Sequence, residues 1–229
     1  MTDIRFERII AIPDLHGCYE HLRQLFEQEI RFNPEKDKIV FLGDYIDFRE
    51  MTDIVDRAGV SSAKVVQYVS DLKQRYPENI VLLKGNHEEM AETALTTDNS
   101  LNHNLWIFNG GIETIDSFGG MERAREALLP FIETLEPYHE TDSAIFVHGG
   151  LPSDRDMDKI SVHDMLWGSG RYSGEKLLVV GHRVTDKIYK DGNKISIDLG
   201  CFSTGRLIGV DVLSRRVYEV ANLINSGDQ

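Results

Sequence analysis

Five short apolar segments, at residues 9–12, 39–42, 80–83, 144–147 and 177–180, each run straight into a polar loop that carries histidine or aspartate. Runs of this length, rich in Ile and Val, fit strands buried on both faces, which need no alternating pattern. The first three are separated by segments with helical spacing: Leu22, Leu25, Phe26 and Ile30, then Val65, Val66, Val69 and Leu72. Strand and helix thus alternate through the first 85 residues, which predicts parallel pairing through right-handed crossovers.

Residues 88–135 carry helical patterns broken by Asn109-Gly110-Gly111 and Gly119-Gly120, and read as a helical insert. Beyond residue 180 the pattern shortens into segments 187–190, 194–199, 207–212 and 217–220, with Asp191-Gly192-Asn193 as a hairpin turn. This tail predicts an antiparallel meander. No repeat, low-complexity tract or Gly/Pro-rich linker divides the chain, so residues 1–229 are expected to form a single domain.

Composition excludes several function classes. A formal charge of −13 opposes long nucleic acids, whose binding depends on Lys and Arg neutralising phosphates. No apolar run approaches the roughly 20 residues that span a bilayer. The chain has two cysteines, Cys18 and Cys201, and opens with no leader pattern, which together fit a reducing cytoplasm.

The polar loops hold Asp14 and His16, then Asp44 and Asp47, Asn86 and His87, His148, and His182. Loops at the carboxyl ends of strands in an open α/β sheet converge on one site. Imidazole, carboxylate and amide oxygen without thiolate suit divalent Mn, Fe or Zn, and a shared carboxylate lets two ions sit roughly 3.5–4 Å apart. Any one of these motifs alone reads more simply: Asp-x-His as a loop carboxylate beside a surface histidine, Gly-His as a turn. Five such loops, each directly after its own strand pattern, make that simpler reading untenable.

Pro13-Asp14-Leu15-His16-Gly17, Gly43-Asp44-Tyr45-Ile46-Asp47, Leu83-Lys84-Gly85-Asn86-His87-Glu88 and Val147-His148-Gly149-Gly150 resemble, in order, the signature of the PPP-type phosphoprotein phosphatases. Asn109-Gly110-Gly111 with Thr114, Leu166-Trp167 before Arg171, and Asp198-x-Gly200-Cys201 before Gly205-Arg206-Leu207 are similar to the compact bacterial and phage serine/threonine phosphatases. The resemblance implies an α/β fold, a metallophosphoesterase-like four-layer α/β/β/α sandwich of mixed sheets with a helical insert, formed by a single calcineurin-like domain. It also implies two divalent ions, manganese first, with iron and zinc as alternatives. Asp14, His16 and Asp44 would hold one ion, and Asp44, Asn86, His148 and His182 the other. The bridging water would attack phosphorus in line. His87 resembles the general acid that protonates the leaving oxygen and Asp47 the carboxylate that orients it; the simpler readings are His87 as a metal ligand and Asp47 as a helix cap.

Two departures stand out. The family places Arg-Gly directly after the second aspartate of its second motif, whereas Asp47 here precedes Phe48 and Arg49. Arg57, with Ser61 and a helical run beyond it, matches the expected phosphate-binding arginine better than Arg49, so residues 48–56 read as an insertion bearing Glu50, Met51, Asp53, Ile54 and Asp56. Arg171 would be the second phosphate clamp, alongside Asn86. Arg183 follows His182 where relatives carry threonine. The expected substrate is a phosphoprotein or phosphopeptide; a dinucleoside polyphosphate or other nucleotide is the alternative, and a non-catalytic binding module a distant third.

Overall fold

The structure is a computed structural model that describes residues 6–49, 55–152 and 157–221. Among the described residues ten strands form two mixed sheets: β1 (Arg8–Ile12), β2 (Asp37–Phe41), β3 (Ile80–Leu82), β4 (Tyr138–Glu140), β5 (Ala144–Val147), β6 (Leu177–Val180), β7 (Tyr189–Asp191), β8 (Lys194–Ser196), β9 (Arg206–Asp211) and β10 (Val217–Ala221). The helices are α1 (Tyr19–Gln24), α2 (Ser62–Arg75), α3 (Asn86–Thr96), α4 (Ser100–Trp106), α5 (Ile112–Ser117), α6 (Met121–Glu133), α7 (Val162–Trp167) and α8 (Cys201–Thr204).

The first sheet has the order β10-β9-β1-β2-β3 and the second β4-β5-β6-β8-β7. Each contains a parallel trio, β1–β2–β3 at one edge of the first sheet with antiparallel β9 and β10 beside β1, and β5–β6–β8 in the centre of the second with antiparallel β4 and β7 on either side. In register, Ile12 pairs with Phe41 and Phe41 with Leu82, so the loops after these three strands start at one level.

Alternation along each strand sorts its apolar side chains into layers. Ile9 and Ala11 of β1 meet Val40, Phe146, Val179 and Ile195 in a core between the sheets. Ile10 and Ile12 face outward with Ile39, Phe41 and Leu82, and are covered by Leu22, Val65, Val69, Ala91 and Leu128 from the helices. On the far side, Ile145, Val147, Leu178 and Val180 pack with Met165 and Ile160 beside α7. The result is the expected α/β/β/α sandwich, with a thick helical layer on the first sheet and a thin one on the second.

The insert is helical as predicted, and its breaks fall at Gly110 (φ 108°), Gly119 (φ 78°) and Gly120 (φ 124°). The tail corrects the expected meander. β7 and β8 form a hairpin in the second sheet, whereas β9 and β10 form one in the first. Between them Gly200 (φ 68°) and Gly205 (φ 65°) bracket α8 and carry the chain across, a change of direction that strand periodicity does not encode. Among the described residues, no helix is long and apolar enough to cross a membrane.

Candidate active site

Six loops meet at the carboxyl ends of the two parallel strand trios. Asp14 and His16 follow β1, Asp44 and Asp47 follow β2, Asn86 and His87 open α3 after β3, His148 follows β5, His182 follows β6, and Asp198 follows β8. His16, Asp44, Asp47 and His182 all have positive φ, at 43°, 51°, 71° and 64°. Left-handed backbone in non-glycine residues costs energy and gathers where a scaffold holds functional groups against their preference. Close approach fixes the glycines around them. A Cβ on Gly85 would fall 2.1 Å from Asp44 Oδ1, and one on Gly181 would fall 2.2 Å from Asp14 Oδ1.

Hydrogen bonds then set the imidazoles. His16 Nδ1 lies 3.1 Å from the Ile46 carbonyl and His148 Nδ1 lies 3.0 Å from the Leu42 carbonyl, which makes each Nδ1 the donor and turns each Nε2 toward Asp44. His148 Nε2 and His182 Nδ1 converge on Asn86 Oδ1 at 2.7 and 2.9 Å. His16 Nε2 and His148 Nε2 flank Asp44 Oδ2 at 3.6 and 3.4 Å. Two sets of donor atoms, from His16, Asp44 and His87 and from Asp44, His148 and His182, each fall within 4.8 Å of one another, with Asp44 common to both. Asp14 lies just behind, both its oxygens accepting from the His182 backbone N–H at 3.0 Å.

The loop bearing Asp44 is anchored from below. The buried Glu88 carboxylate accepts from the backbone N–H groups of Asp44, Tyr45 and Gly85, each at 2.9 Å. Asp47 is equally committed: its carboxylate accepts from His87 Nδ1 at 2.9 Å, Trp106 Nε1 at 2.9 and 3.0 Å, and Thr114 Oγ1 at 2.7 Å.

The electrostatics favour cations. Asp14, Asp44 and Asp198 are buried together, and Asp198 Oδ2 has no hydrogen-bond partner among the described residues. Burial, reinforced by Asp198 and Asp44, pushes the Asp14 carboxyl well above its usual range. Burial opposes charge on His148, yet Asp44 and Asp14 outweigh it and lift the imidazole to about 10. His16 and His182, by contrast, are lowered to about 4 by burial and by neighbouring His87 and His148 respectively, which leaves them neutral and able to donate a lone pair. Excess buried carboxylate, an orphaned oxygen and neutral imidazoles are the environment that divalent ions stabilise. The residues fit a dinuclear centre.

A cavity of about 200 Å³ opens over this cluster, lined by His16, Asp44, Asp47, Asn86, His87 and His182 together with Arg49, Asn109, Val184, Asp198 and Phe202. Arg49 reaches it while stacking on the Phe108 ring at 4.9 Å. Arg57 and Arg171 are exposed and are not part of this lining; Arg57 packs over Phe48 at 5.4 Å. Of the insertion, residues 50–54, with Glu50, Met51, Asp53 and Ile54, lie outside the described residues. Neither Asp198 nor Asn109 receives a site role from the sequence pattern, although Asp198-x-Gly200-Cys201 at the end of the segment 194–199 is a usable signal and Asn109 opens the Asn109-Gly110-Gly111 break.

The calcineurin-like phosphoesterase family model matches residues 7–212. The chain belongs to this family. Like its family, this phosphoesterase is metal-dependent and built around a dinuclear centre. It is 26% identical over 220 residues to serine/threonine-protein phosphatase 2 of Salmonella typhimurium, which covers 88% of this chain and 91% of the relative. It is 31% identical over 146 residues to a symmetrical bis(5'-nucleosyl)-tetraphosphatase of Methylococcus capsulatus, covering 63% and 43%. Among solved structures, one described as a putative diadenosine tetraphosphatase superposes with a TM-score of 0.67 at 16% identity, covering 96% of this chain and 95% of the other. A serine/threonine phosphatase from Saccharomyces cerevisiae gives 0.63 at 16%, covering 97% and 82%. Both structural likenesses speak to the fold.

Proposed function

We propose that this phosphoesterase is a manganese-dependent serine/threonine phosphoprotein phosphatase acting on phosphoserine or phosphothreonine in peptides. Asp14, His16 and Asp44 would hold one ion, and Asp44, Asn86, His148 and His182 the other. Bound there, the ions supply an acidified water for in-line attack and neutralise phosphoryl charge.

The observation that carries the reading is the His87–Asp47 pair at the cavity wall. Burial opposes charge on His87, but Asp44 and the hydrogen bond to Asp47 outweigh it and hold the imidazole at about 9, protonated at neutral pH. With Nδ1 committed to Asp47, Nε2 is left to protonate a leaving oxygen. A serine or threonine alkoxide is a poor leaving group and gains most from such an acid, whereas a polyphosphate leaves readily without one. The cavity lining points the same way. Among the described residues the cavity is lined by one arginine, Arg49, a match for a single phosphoryl group rather than for a chain of phosphates. Near-complete coverage of the Salmonella phosphatase supports the same substrate class.

In this reading Arg49 and the Asn86 amide hold phosphoryl oxygens, and the exposed Arg57 and Arg171 stay outside the cavity. Both sheets contribute to one centre, which favours a single domain. Free thiols at Cys18 and Cys201 fit a reducing compartment, the cytoplasm. Steady-state assays with Mn²⁺ on para-nitrophenyl phosphate, a phosphothreonine peptide and a dinucleoside tetraphosphate test it. The expected result is a higher kcat/KM on the peptide than on the dinucleotide; the reverse order would make this a nucleotide phosphoesterase.

A further inference from the structure

A second cluster of ligand-type side chains lies behind the loops of the dinuclear centre. Cys18 stands at the N-terminus of α1, His21 lies within that helix, and Cys201 opens α8 after the turn at Gly200. One donor atom from each, two sulfurs and a ring nitrogen, falls within 4.8 Å of the others. All three are buried, at 0%, 3% and 2% exposure. The cysteines are not joined in a disulfide, and among the described residues neither ring nitrogen of His21 makes a well-formed hydrogen bond. Nearly all buried polar groups find partners, and the nearby Gly205 backbone can serve at most one of the two ring nitrogens, which leaves the other facing the thiols. The two thiols beside it are weak donors and poor substitutes.

We infer that Cys18, His21 and Cys201 bind a thiophilic d¹⁰ cation, represented by Zn²⁺, at a structural site distinct from the dinuclear centre. Zn–S bonds of about 2.3 Å and Zn–N of about 2.0 Å put donors roughly 3.3–3.8 Å apart in a tetrahedral site. The observed spacing needs only small side-chain adjustment to meet that. The donor sets also separate the two sites chemically: the dinuclear centre offers only nitrogen and oxygen, while this cluster holds both thiols of the chain. On binding, the two thiols release their protons and His21 coordinates as a neutral ring. Its second nitrogen then has a natural acceptor, because the Gly205 carbonyl already lies close enough to act on the ring.

The site joins the two halves of the sandwich. Cys18 follows His16 by two residues on the loop from the first sheet, and Cys201 follows Asp198 by three on the loop from the second. The rings of His16 and Phe202 are in edge contact at 4.9 Å between centroids. A cation here would clamp these loops together beneath the catalytic cavity.

The test uses reduced full-length protein with its dinuclear centre filled by Mn²⁺, titrated with Co²⁺ as a spectroscopic stand-in for Zn²⁺. Thiolate-to-cobalt charge transfer in the near ultraviolet can arise only at the two cysteines. The expected result is a band saturating at one Co²⁺ per chain and removed by Zn²⁺. It should be absent in Cys18→Ser/Cys201→Ser, and need about 10-fold more cobalt or beyond in His21→Ala. In wild-type protein loaded with Zn²⁺, a thiol-directed mercurial should release one zinc equivalent without loss of manganese, a readout that does not depend on any variant folding. No charge-transfer band in reduced wild-type protein, a band surviving in the double variant, or no mercurial-released zinc would overturn the site. Formation of a Cys18–Cys201 disulfide in place of metal uptake, seen as a loss of two mass units, would overturn it in favour of a redox link.

Discussion

His87 Nδ1 stands 2.9 Å from Asp47 Oδ2, and the same carboxylate receives Trp106 and Thr114, so the proposed acid is held by a group with no freedom of its own. Asp47→Asn keeps the shape but removes the charge that favours the imidazolium. Turnover should fall by about 10²–10⁴-fold, most for substrates with poor leaving groups, while metal content by elemental analysis stays unchanged. Equal losses across leaving groups would remove His87 from the acid role.

Trp106 is fully buried and its indole N–H touches both oxygens of Asp47. Trp106→Phe leaves that carboxylate short of a donor and should destabilise the fold by about 1–3 kcal/mol in denaturant unfolding. Its effect on kcat should be smaller than that of Asp47→Asn, because Thr114 and His87 still hold the group.

Asp44 is shared by both donor sets, whereas His87 belongs to one and is proposed to move a proton. Asp44→Asn should therefore lose metal and activity together, and exhaustive chelation of the wild-type protein should abolish hydrolysis until Mn²⁺ is restored. His87→Asn should keep most of its metal and lose turnover. Equal metal depletion in the two variants would make His87 a ligand.

Glu88 accepts three backbone N–H groups with no exposure to water, a function that its position after Asn86-His87 does not announce. Glu88→Ala strands all three donors and should cost about 3 kcal/mol or more in thermal or urea unfolding. It should also weaken metal binding, because the freed segment carries Asp44. A stable variant with normal metal content would show that Asp44 needs no such support.

Strand cores were legible because Ile9, Val40, Val81, Phe146 and Val179 lie in unbroken apolar runs, and burial on both faces writes itself into composition. β4 was not, since Tyr138-His139-Glu140 is a half-exposed edge with nothing apolar to alternate. The convergence of five loops followed from strands ending in His and Asp, yet the sixth, bearing Asp198, escaped: its strand belongs to a tail whose two hairpins enter different sheets, and periodicity carries no information on which sheet a strand joins. Positive φ at Asp44 and Asp47 is likewise invisible locally, because aspartate tolerates that region without demanding it.

The arginines are where sequence matching and geometry diverge, and phosphate binding separates them. Alignment by motif favours Arg57 and Arg171, but Arg49 is the arginine in the cavity lining, beside Asp44 and Asn86 and braced against Phe108. A guanidinium there can form charge-assisted hydrogen bonds to phosphoryl oxygens, worth about 1.5–3 kcal/mol. Arg49→Ala should thus weaken inhibition by phosphate or vanadate by about 10–100-fold, read from inhibition constants at fixed Mn²⁺. Phe108→Ala removes only the stacking that orients the guanidinium and should weaken inhibition by about 2–5-fold, in line with an exposed cation–π contact of about 0.5–1 kcal/mol. Arg57→Ala and Arg171→Ala, which remove exposed side chains outside the cavity, should each change it by less than about 3-fold, near the range of ordinary surface substitutions. A larger loss in either of those variants than in Arg49→Ala would return the phosphate clamp to the positions that the family resemblance gives it, and Arg49 would then be a rim residue that substrate does not touch.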